Sequence, residues 1–194
     1  MEMNHIFGRL VAAASLTIPA CPALATQDTQ ESGWISQAWN TATEHVSTTW
    51  DKGDIELYLP IYTWHLPFAY TPDQRSSYTE IPGGFGLGKG RYNDSGNWEG
   101  IYAMGFRDSH GDPSFMLGYG WIPTWNVSDT DVKVGVGLTA FFMSRQDYFG
   151  GFPFPAVLPI ASASYRNLSL QAAYVPGGKG NGNVLFIWGK WTFN

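Results

Sequence analysis

The sequence predicts an all-β protein preceded by one helix, and three observations lead to that fold class. Alternating segments, separated by clusters of Gly, Asn, Asp and Pro, run from residue 55 to residue 193. Only 14% of the residues are charged, against about 25% in soluble domains, while 16% are aromatic, including nine Trp. No stretch after residue 26 is apolar over the roughly 20 residues that a transmembrane helix needs.

Residues 1–25 are typical of a secretory signal peptide. Arg9 provides a basic start, residues 10–18 form a short apolar core, and residues 23–25 offer a small-x-small cleavage site. The alternative is lipoprotein cleavage before Cys21, the single cysteine, but Pro19 fits that poorly. Cleavage after Ala25 leaves no cysteine for a disulfide, a nucleophilic thiolate or a metal site.

Residues 26–53 are predicted to contain an amphipathic helix. Apolar residues recur every four positions, which is helical spacing: Trp34, Ala38, Ala42, Val46 and Trp50. A stripe rich in Trp favours a helix at a membrane interface, although packing against an ordinary core remains the alternative. The run Lys52-Gly53-Asp54 predicts where the helix ends.

Residues 54–194 are predicted to form eight strands, and eight is the smallest common number in transmembrane β-barrels. A soluble periplasmic β-protein and a transmembrane β-barrel both fit this pattern. The predicted strands are Ile55–Ala69, Ile81–Gly90, Trp98–Arg107, Ser114–Ile122, Thr130–Met143, Ala156–Tyr165, Leu168–Pro176 and Asn183–Phe193.

Small residues share one face of the fourth predicted strand. Gly118 and Gly120 lie opposite the large side chains between Phe115 and Trp121. Glycines inside a narrow barrel predict an apolar void, whose shape suits a lipid acyl chain. The alternative is that these glycines relieve crowding where the barrel bends.

Several prolines fall within or at the ends of predicted strands, where proline donates no ladder hydrogen bond. At matching heights in neighbouring strands they would open a lateral gap in the wall without leaving an N–H group unsatisfied. The alternative is that they end strands outside the hydrocarbon. These residues are Pro60, Pro82, Pro155, Pro159 and Pro176.

Three residues of catalytic type lie at predicted strand ends: His65, Asp108 and Ser109. A histidine can take a proton from a hydroxyl near neutral pH, a carboxylate can orient it, and a serine can attack or donate to an oxyanion. A lone histidine is more often structural, and no esterase motif is present. The sequence also lacks an HExxH motif and a Cys/His cluster, so we expect neither a metal nor a cofactor. The net charge of −5 argues against a nucleic-acid partner.

The chain resembles the lipid A palmitoyltransferase family, PagP, from about Trp34 to Phe193. The matching motifs occur in order and with few gaps. They are Asp54–His65, Gly83–Gly88, Gly96–Trp98, Gly100–Ser109, Gly118–Trp121, Val157–Ser162, Tyr174–Gly177 and Asn181–Val184.

The resemblance implies a monomeric enzyme of the bacterial outer membrane, folded as an eight-stranded antiparallel transmembrane β-barrel behind an N-terminal amphipathic helix. It implies transfer of a palmitoyl chain from the sn-1 position of a phospholipid to a hydroxyl of lipid A. A lipid hydrolase and a non-catalytic lipid-binding barrel are the alternatives.

The resemblance also assigns roles to individual residues. It implies a catalytic role for His65, Asp108 and Ser109, and it makes Gly120, beside Gly118, the floor of the acyl pocket. The resemblance assigns lateral lipid access to four prolines, Pro60, Pro82, Pro159 and Pro176. Gln74 stands at a position that implies lipopolysaccharide recognition, where related enzymes have a basic residue. Glu99 and Lys179 stand at positions that imply a role in phospholipid gating.

Overall fold

The structure is a computed structural model that describes residues 23–194, with side chains described from Gly33 onwards. The predicted signal peptide therefore lies outside the described residues, except for residues 23–25. The described residues divide into two units, one that ends at Asn40 and one that begins at Thr41. No helix among the described residues is long and apolar enough to cross a membrane.

Helix α1 runs from Ala23 to Lys52 and ends where the Lys-Gly-Asp run predicts. The Gly53 N–H donates to the Thr49 carbonyl at 2.9 Å and closes the last turn. Within the second unit, the polar face of the helix contacts the strands, whereas Trp50 of the apolar stripe is 61% exposed. The core-packed alternative is therefore wrong for this part of the helix. Its place at a membrane interface stays a prediction.

The strands of the second unit form one antiparallel sheet. They are β1 (Asp54–His65), β2 (Phe85–Tyr92), β3 (Trp98–Arg107), β4 (Pro113–Ile122), β5 (Thr124–Asn126), β6 (Val132–Ser144), β7 (Phe154–Tyr165), β8 (Leu168–Val175) and β9 (Val184–Phe193). Strands that follow each other in the chain are paired, except β4 and β5. The pairings of β1 with β9 and of β4 with β6 close the sheet into a barrel.

The short strand β5 continues β4 after Pro123. Trp121 of β4 faces Leu138 of β6, and Thr124 of β5 faces Gly135 of the same strand, so the register is unbroken. Counted as one interrupted strand, β4 and β5 give eight strands around the barrel. The predicted fold class and strand number are confirmed.

The predicted end of the first strand and the predicted start of the second both lie within the segment that connects these strands. Strand β1 ends at His65, and β2 begins only at Phe85, because Gly83 and Gly84 adopt positive φ angles of 57° and 96°. A short helix, α2 (Pro72–Ser77), fills the connection. A capping box formed by Thr71 and Gln74 starts this helix.

The barrel interior changes character along its axis. At the end next to the last turns of helix α1, after Thr41, Glu56 and Lys190 form a buried ion pair, with side chains 1% and 3% exposed. Above this pair lies an aromatic and apolar core that includes Trp98, Tyr102 and Trp188. The opposite end, where β1 and β3 finish, holds the candidate site.

Candidate active site

A cavity of about 420 Å³ opens at the end of the barrel opposite the Glu56–Lys190 ion pair. Its rim contains His65, Asp108 and Ser109, so the fold brings the three residues predicted from sequence to one place. Its deeper wall is built from apolar side chains, among them Met116 and Phe186. The size and the apolar lining are typical of a small-molecule site.

His65 is the last residue of β1, and two tyrosines hold its ring. The Tyr78 ring stacks on it at 4.6 Å with an interplanar angle of 14°, and the Tyr70 ring meets it edge-on at 5.0 Å. The Tyr70 hydroxyl donates to the Gly182 carbonyl at 2.6 Å. Burial raises the pKa of the Tyr70 phenol, which therefore remains protonated at neutral pH. His65 is 3% exposed, and its Nδ1 has no hydrogen-bond partner among the described residues. The ring nitrogens of a buried structural histidine are normally hydrogen-bonded.

Asp108 and Ser109 lie in the turn that joins β3 to β4. One carboxylate oxygen of Asp108 accepts from the backbone N–H groups of His110 and Asp112, at 2.9 and 3.0 Å. The Ser109 carbonyl accepts from the Thr79 N–H at 2.8 Å, which ties the turn to the segment before β2. Among the described residues, no hydrogen bond joins Asp108 to His65. The carboxylate shapes the turn that presents Ser109.

Arg145 is a rim residue that the sequence did not single out. It donates to Asp108 at 3.3 Å and to Asp147 at 2.8 Å, and thereby links the β3–β4 turn to the β6–β7 connection. Asp108, His110 and Asp147 offer potential metal-ligand atoms within 4.8 Å of one another. Because Arg145 already pairs with both carboxylates, a cation there would first have to displace its guanidinium.

Two seams in the wall flank the cavity. Strand β1 pairs with β2 only from Asp54 to Tyr58, and the next bond across this seam runs from Thr63 N–H to the Glu80 carbonyl at 2.8 Å. Strand β7 pairs with β8 only from Ile160 onwards. The four prolines adjoin these seams, two at each: Pro60 and Pro82 at the first, Pro159 and Pro176 at the second.

Gly118 and Gly120 point into the barrel, as the alternation predicts, but the space over them is not empty. A Cβ atom added at Gly118 would lie 2.7 Å from the Tyr102 hydroxyl, and one added at Gly120 would lie 2.8 Å from the Trp98 ring. Neither glycine lines the cavity. Aromatic rings of β3 fill the predicted void at this depth, and a role of Gly120 in setting acyl length stays a prediction.

The remaining predicted site residues lie apart from one another. Gln74 uses its side-chain oxygen to accept the Thr71 N–H at 3.0 Å within the capping box. Lys179 is exposed in the loop between β8 and β9. Glu99 lies at the other end of the barrel, where His45 of helix α1 contacts it at 2.8 Å. Recognition of lipopolysaccharide by Gln74 and gating by Glu99 and Lys179 stay predictions.

Sequence reasoning missed Tyr70, Tyr78 and Arg145. The signal for the first two was a helix start: Thr71, Pro72 and Gln74 form a capping pattern that places an ordered segment between the tyrosines. Nothing in the local sequence of Arg145 distinguishes it, because its partners come from another strand connection.

Comparison with known proteins gives a consistent result. Residues 45–190 match the model of the family described as PagP, antimicrobial peptide resistance and lipid A acylation protein. The chain is 44% identical to the lipid A acyltransferase PagP of Methylobacillus flagellatus, over 98% of this chain and 100% of that protein. It is 45% identical to that of Bordetella pertussis, over 83% of this chain and 87% of the relative. A solved structure, the outer membrane protein Ail of Yersinia pestis, matches with a TM-score of 0.41 at 13% identity, covering 73% of this chain and 100% of Ail.

Proposed function

The chain belongs to the PagP family and is a lipid A acyltransferase, and on that premise we propose that it moves a palmitoyl chain from the sn-1 position of a phospholipid to a hydroxyl of lipid A. The observation that carries the proposal is the placement of His65 and Ser109 on the rim of an apolar cavity. A cavity of this kind binds an alkyl chain, while the rim supplies the polar groups that acyl transfer requires.

The outer surface of the barrel supports a location in the bacterial outer membrane. Large apolar side chains are exposed on the outward faces of the strands, and a monomer in water rarely exposes so much apolar surface. Examples from different strands are Leu87, Leu117, Val136, Val157 and Leu170. In a bilayer these side chains face lipid tails.

His65 acts as the general base of the proposed reaction. It takes the proton of the lipid A hydroxyl as that oxygen attacks the sn-1 carbonyl carbon of the phospholipid. The ester bond to the glycerol oxygen then breaks, and this oxygen recovers the proton from His65. The products are acylated lipid A and a lysophospholipid, so no further reactant is needed.

Ser109 stabilises the negative charge that develops on the carbonyl oxygen, by donating from its hydroxyl. Asp108 supports this role because its two backbone hydrogen bonds hold the turn that carries Ser109. Arg145 fixes the second carboxylate oxygen of Asp108. Asp108 is therefore a positioning residue in this proposal, and His65 and Ser109 are the catalytic residues.

The seams provide the routes by which lipids reach the rim from the side. At each seam the ladder stops beside prolines, so few N–H groups lack a partner there. Both seams lie at the level of the cavity, because Thr63 of β1 and Leu158 of β7 contribute to its wall. A lipid headgroup can then stay at the rim while its chain enters the barrel.

The test is mass spectrometry of lipid A from cells with and without the protein, followed by transfer assays with purified protein. We expect lipid A to gain one palmitoyl unit. A phospholipid with different chains at sn-1 and sn-2 identifies the donated chain, which we expect to be the sn-1 chain. His65→Ala should lower transfer roughly 100- to 10,000-fold, and His45→Ala, which replaces a histidine at the other end of the barrel, should retain it.

Two outcomes would contradict the proposal. Release of free fatty acid without acylation of lipid A would identify a hydrolase, in which water is the acceptor. Binding of phospholipid with neither product would identify a lipid-binding barrel.

A further inference from the structure

A second pocket, of about 440 Å³, lies on the outer side of the first seam, between β1 and the segment that leads to β2. Successive residues of a strand point to opposite faces of the sheet. Thr63 lines the inner cavity, and the preceding residue, Tyr62, lines the second pocket. The outward faces of the strands meet lipid in the proposed location, so this pocket opens toward the surrounding bilayer at the level of the rim.

Arg75, in helix α2, contributes the positive charge of this pocket. Among the described residues it forms no ion pair, and its Nε is buried without a hydrogen-bond partner. Buried N–H groups in native proteins normally have a partner, so this one requires a partner from outside the described chain. Arg145 on the same rim differs, because its guanidinium already pairs with two carboxylates. The Arg75 guanidinium is therefore available to an anion.

The pocket also contains one carboxylate, that of Glu80, whose interactions are with β1. It accepts from the Tyr62 hydroxyl, and the Glu80 backbone carbonyl accepts from the Thr63 N–H at 2.8 Å. These bonds fasten the wall of the pocket to the barrel. Glu80 does not pair with Arg75, but its negative charge opposes any anion that binds beside Arg75.

Two residues of the pocket wall contact the catalytic residues of the proposed reaction. The Tyr78 ring stacks on the His65 ring at 4.6 Å, and the Thr79 N–H donates to the Ser109 carbonyl at 2.8 Å. A group held in the pocket is therefore separated from the His65 ring by the Tyr78 side chain. His65 takes its proton from the acceptor hydroxyl, so the acceptor, lipid A, is the lipid that this pocket adjoins. Lipid A carries phosphate groups, which are anions.

We propose that this pocket binds a phosphate group of lipid A, with the Arg75 guanidinium as its charged partner. This inference rests on the proposed function, because it names the group by which the acceptor is held at the same site. A guanidinium presents a planar fork of N–H donors that matches two phosphate oxygens. Bound in this way, lipid A keeps its sugar at the rim beside His65. Gln74, to which the resemblance assigns lipopolysaccharide recognition, does not line the pocket.

The experiment measures KM and kcat of purified variants with two acceptors, lipid A that carries its phosphates and lipid A from which they have been removed. With the phosphorylated acceptor, Arg75→Gln should raise KM about tenfold, the size expected for one charge-assisted hydrogen bond, and should retain kcat. Arg75→Lys keeps the charge without the fork and should raise KM less. With the dephosphorylated acceptor, Arg75→Gln and the wild type should have the same KM.

Two further variants complete the design. Glu80→Gln keeps an acceptor for the Tyr62 hydroxyl but removes the opposing charge, so it should lower KM for the phosphorylated acceptor. This opposite shift keeps the proposal testable if Arg75→Gln fails to fold. Arg166→Gln removes the same charge from a surface residue outside the pocket and should keep the wild-type KM. Folding of each variant is checked by far-ultraviolet circular dichroism.

The proposal is overturned if folded Arg75→Gln keeps the wild-type KM for phosphorylated lipid A, or if KM rises equally for both acceptors. It is also overturned if Arg166→Gln raises KM as much, since net charge would then explain the effect. A rise in KM for the phospholipid donor alone would assign the pocket to the donor and reject the proposal. Failure of the wild type to transfer any chain would instead reject the proposed function, so the two failures are distinguishable.

Discussion

Replacing Lys190 with methionine should destabilise the barrel, because it leaves the Glu56 carboxylate buried without a counter-charge. Removing one partner of a buried ion pair costs about 3–5 kcal/mol of unfolding free energy. Three donors to Glu56 remain: the Tyr58 hydroxyl at 2.5 Å, the Thr192 hydroxyl at 3.1 Å and the Trp98 ring nitrogen at 3.2 Å. We therefore expect a loss near the lower end, about 3 kcal/mol.

The double variant Glu56→Gln/Lys190→Met should recover most of this stability. A neutral amide in the same place no longer carries a buried charge, and replacing both members of a buried pair is often close to neutral. The matched control is Arg166→Met. It breaks the pair between Arg166 and Asp131, whose side chains are 67% and 58% exposed, and should change stability by no measurable amount.

Stability is measured as equilibrium unfolding in guanidinium with lipid vesicles, followed by tryptophan fluorescence and circular dichroism. The reasoning is refuted if Lys190→Met unfolds at the same denaturant concentration as Arg166→Met. It is also refuted if the double variant is less stable than the single one. Either result would mean that the ion pair contributes little to holding the lower barrel together.

Three further predictions concern the site and the helix. His65→Ala should lower transfer roughly 100- to 10,000-fold in protein that still folds, and Ser109→Ala should lower it roughly 100- to 1,000-fold. Asp108→Ala should also lose transfer. Near-normal transfer by His65→Ala in a detergent assay would reject the role of His65. Deleting residues 31–50 should lower the melting temperature more than the specific activity, and an inactive but correctly folded truncation would count against this. His45→Ala should reduce the unfolding free energy by about 1 kcal/mol. Glu99 then loses one hydrogen bond but keeps those from Thr49, Arg91 and Asn93. An unchanged denaturation curve would show that this contact does not hold the helix.

The sequence by itself determined the fold class, the number of strands and the end of helix α1. These features depend on local periodicity and on turn residues, which can be read along the chain. The motifs that resemble the PagP family likewise identified His65, Asp108 and Ser109 before their placement was known.

Only the tertiary structure decided how these residues are supported. Arg145 meets Asp108 across two strand connections, and the tyrosines that hold His65 come from the segment between β1 and β2. Local pattern carries no information on such partners, since they meet only after the strands pair in register.

The contents of the barrel were also decided by tertiary packing. The glycines of β4 predicted an empty space, and alternation placed them correctly on the inner face. Whether that space is empty depends on the neighbouring strand, and there Tyr102 and Trp98 fill it. The physical reason is that interiors are closely packed, so room left by one strand is taken by the side chains of the next.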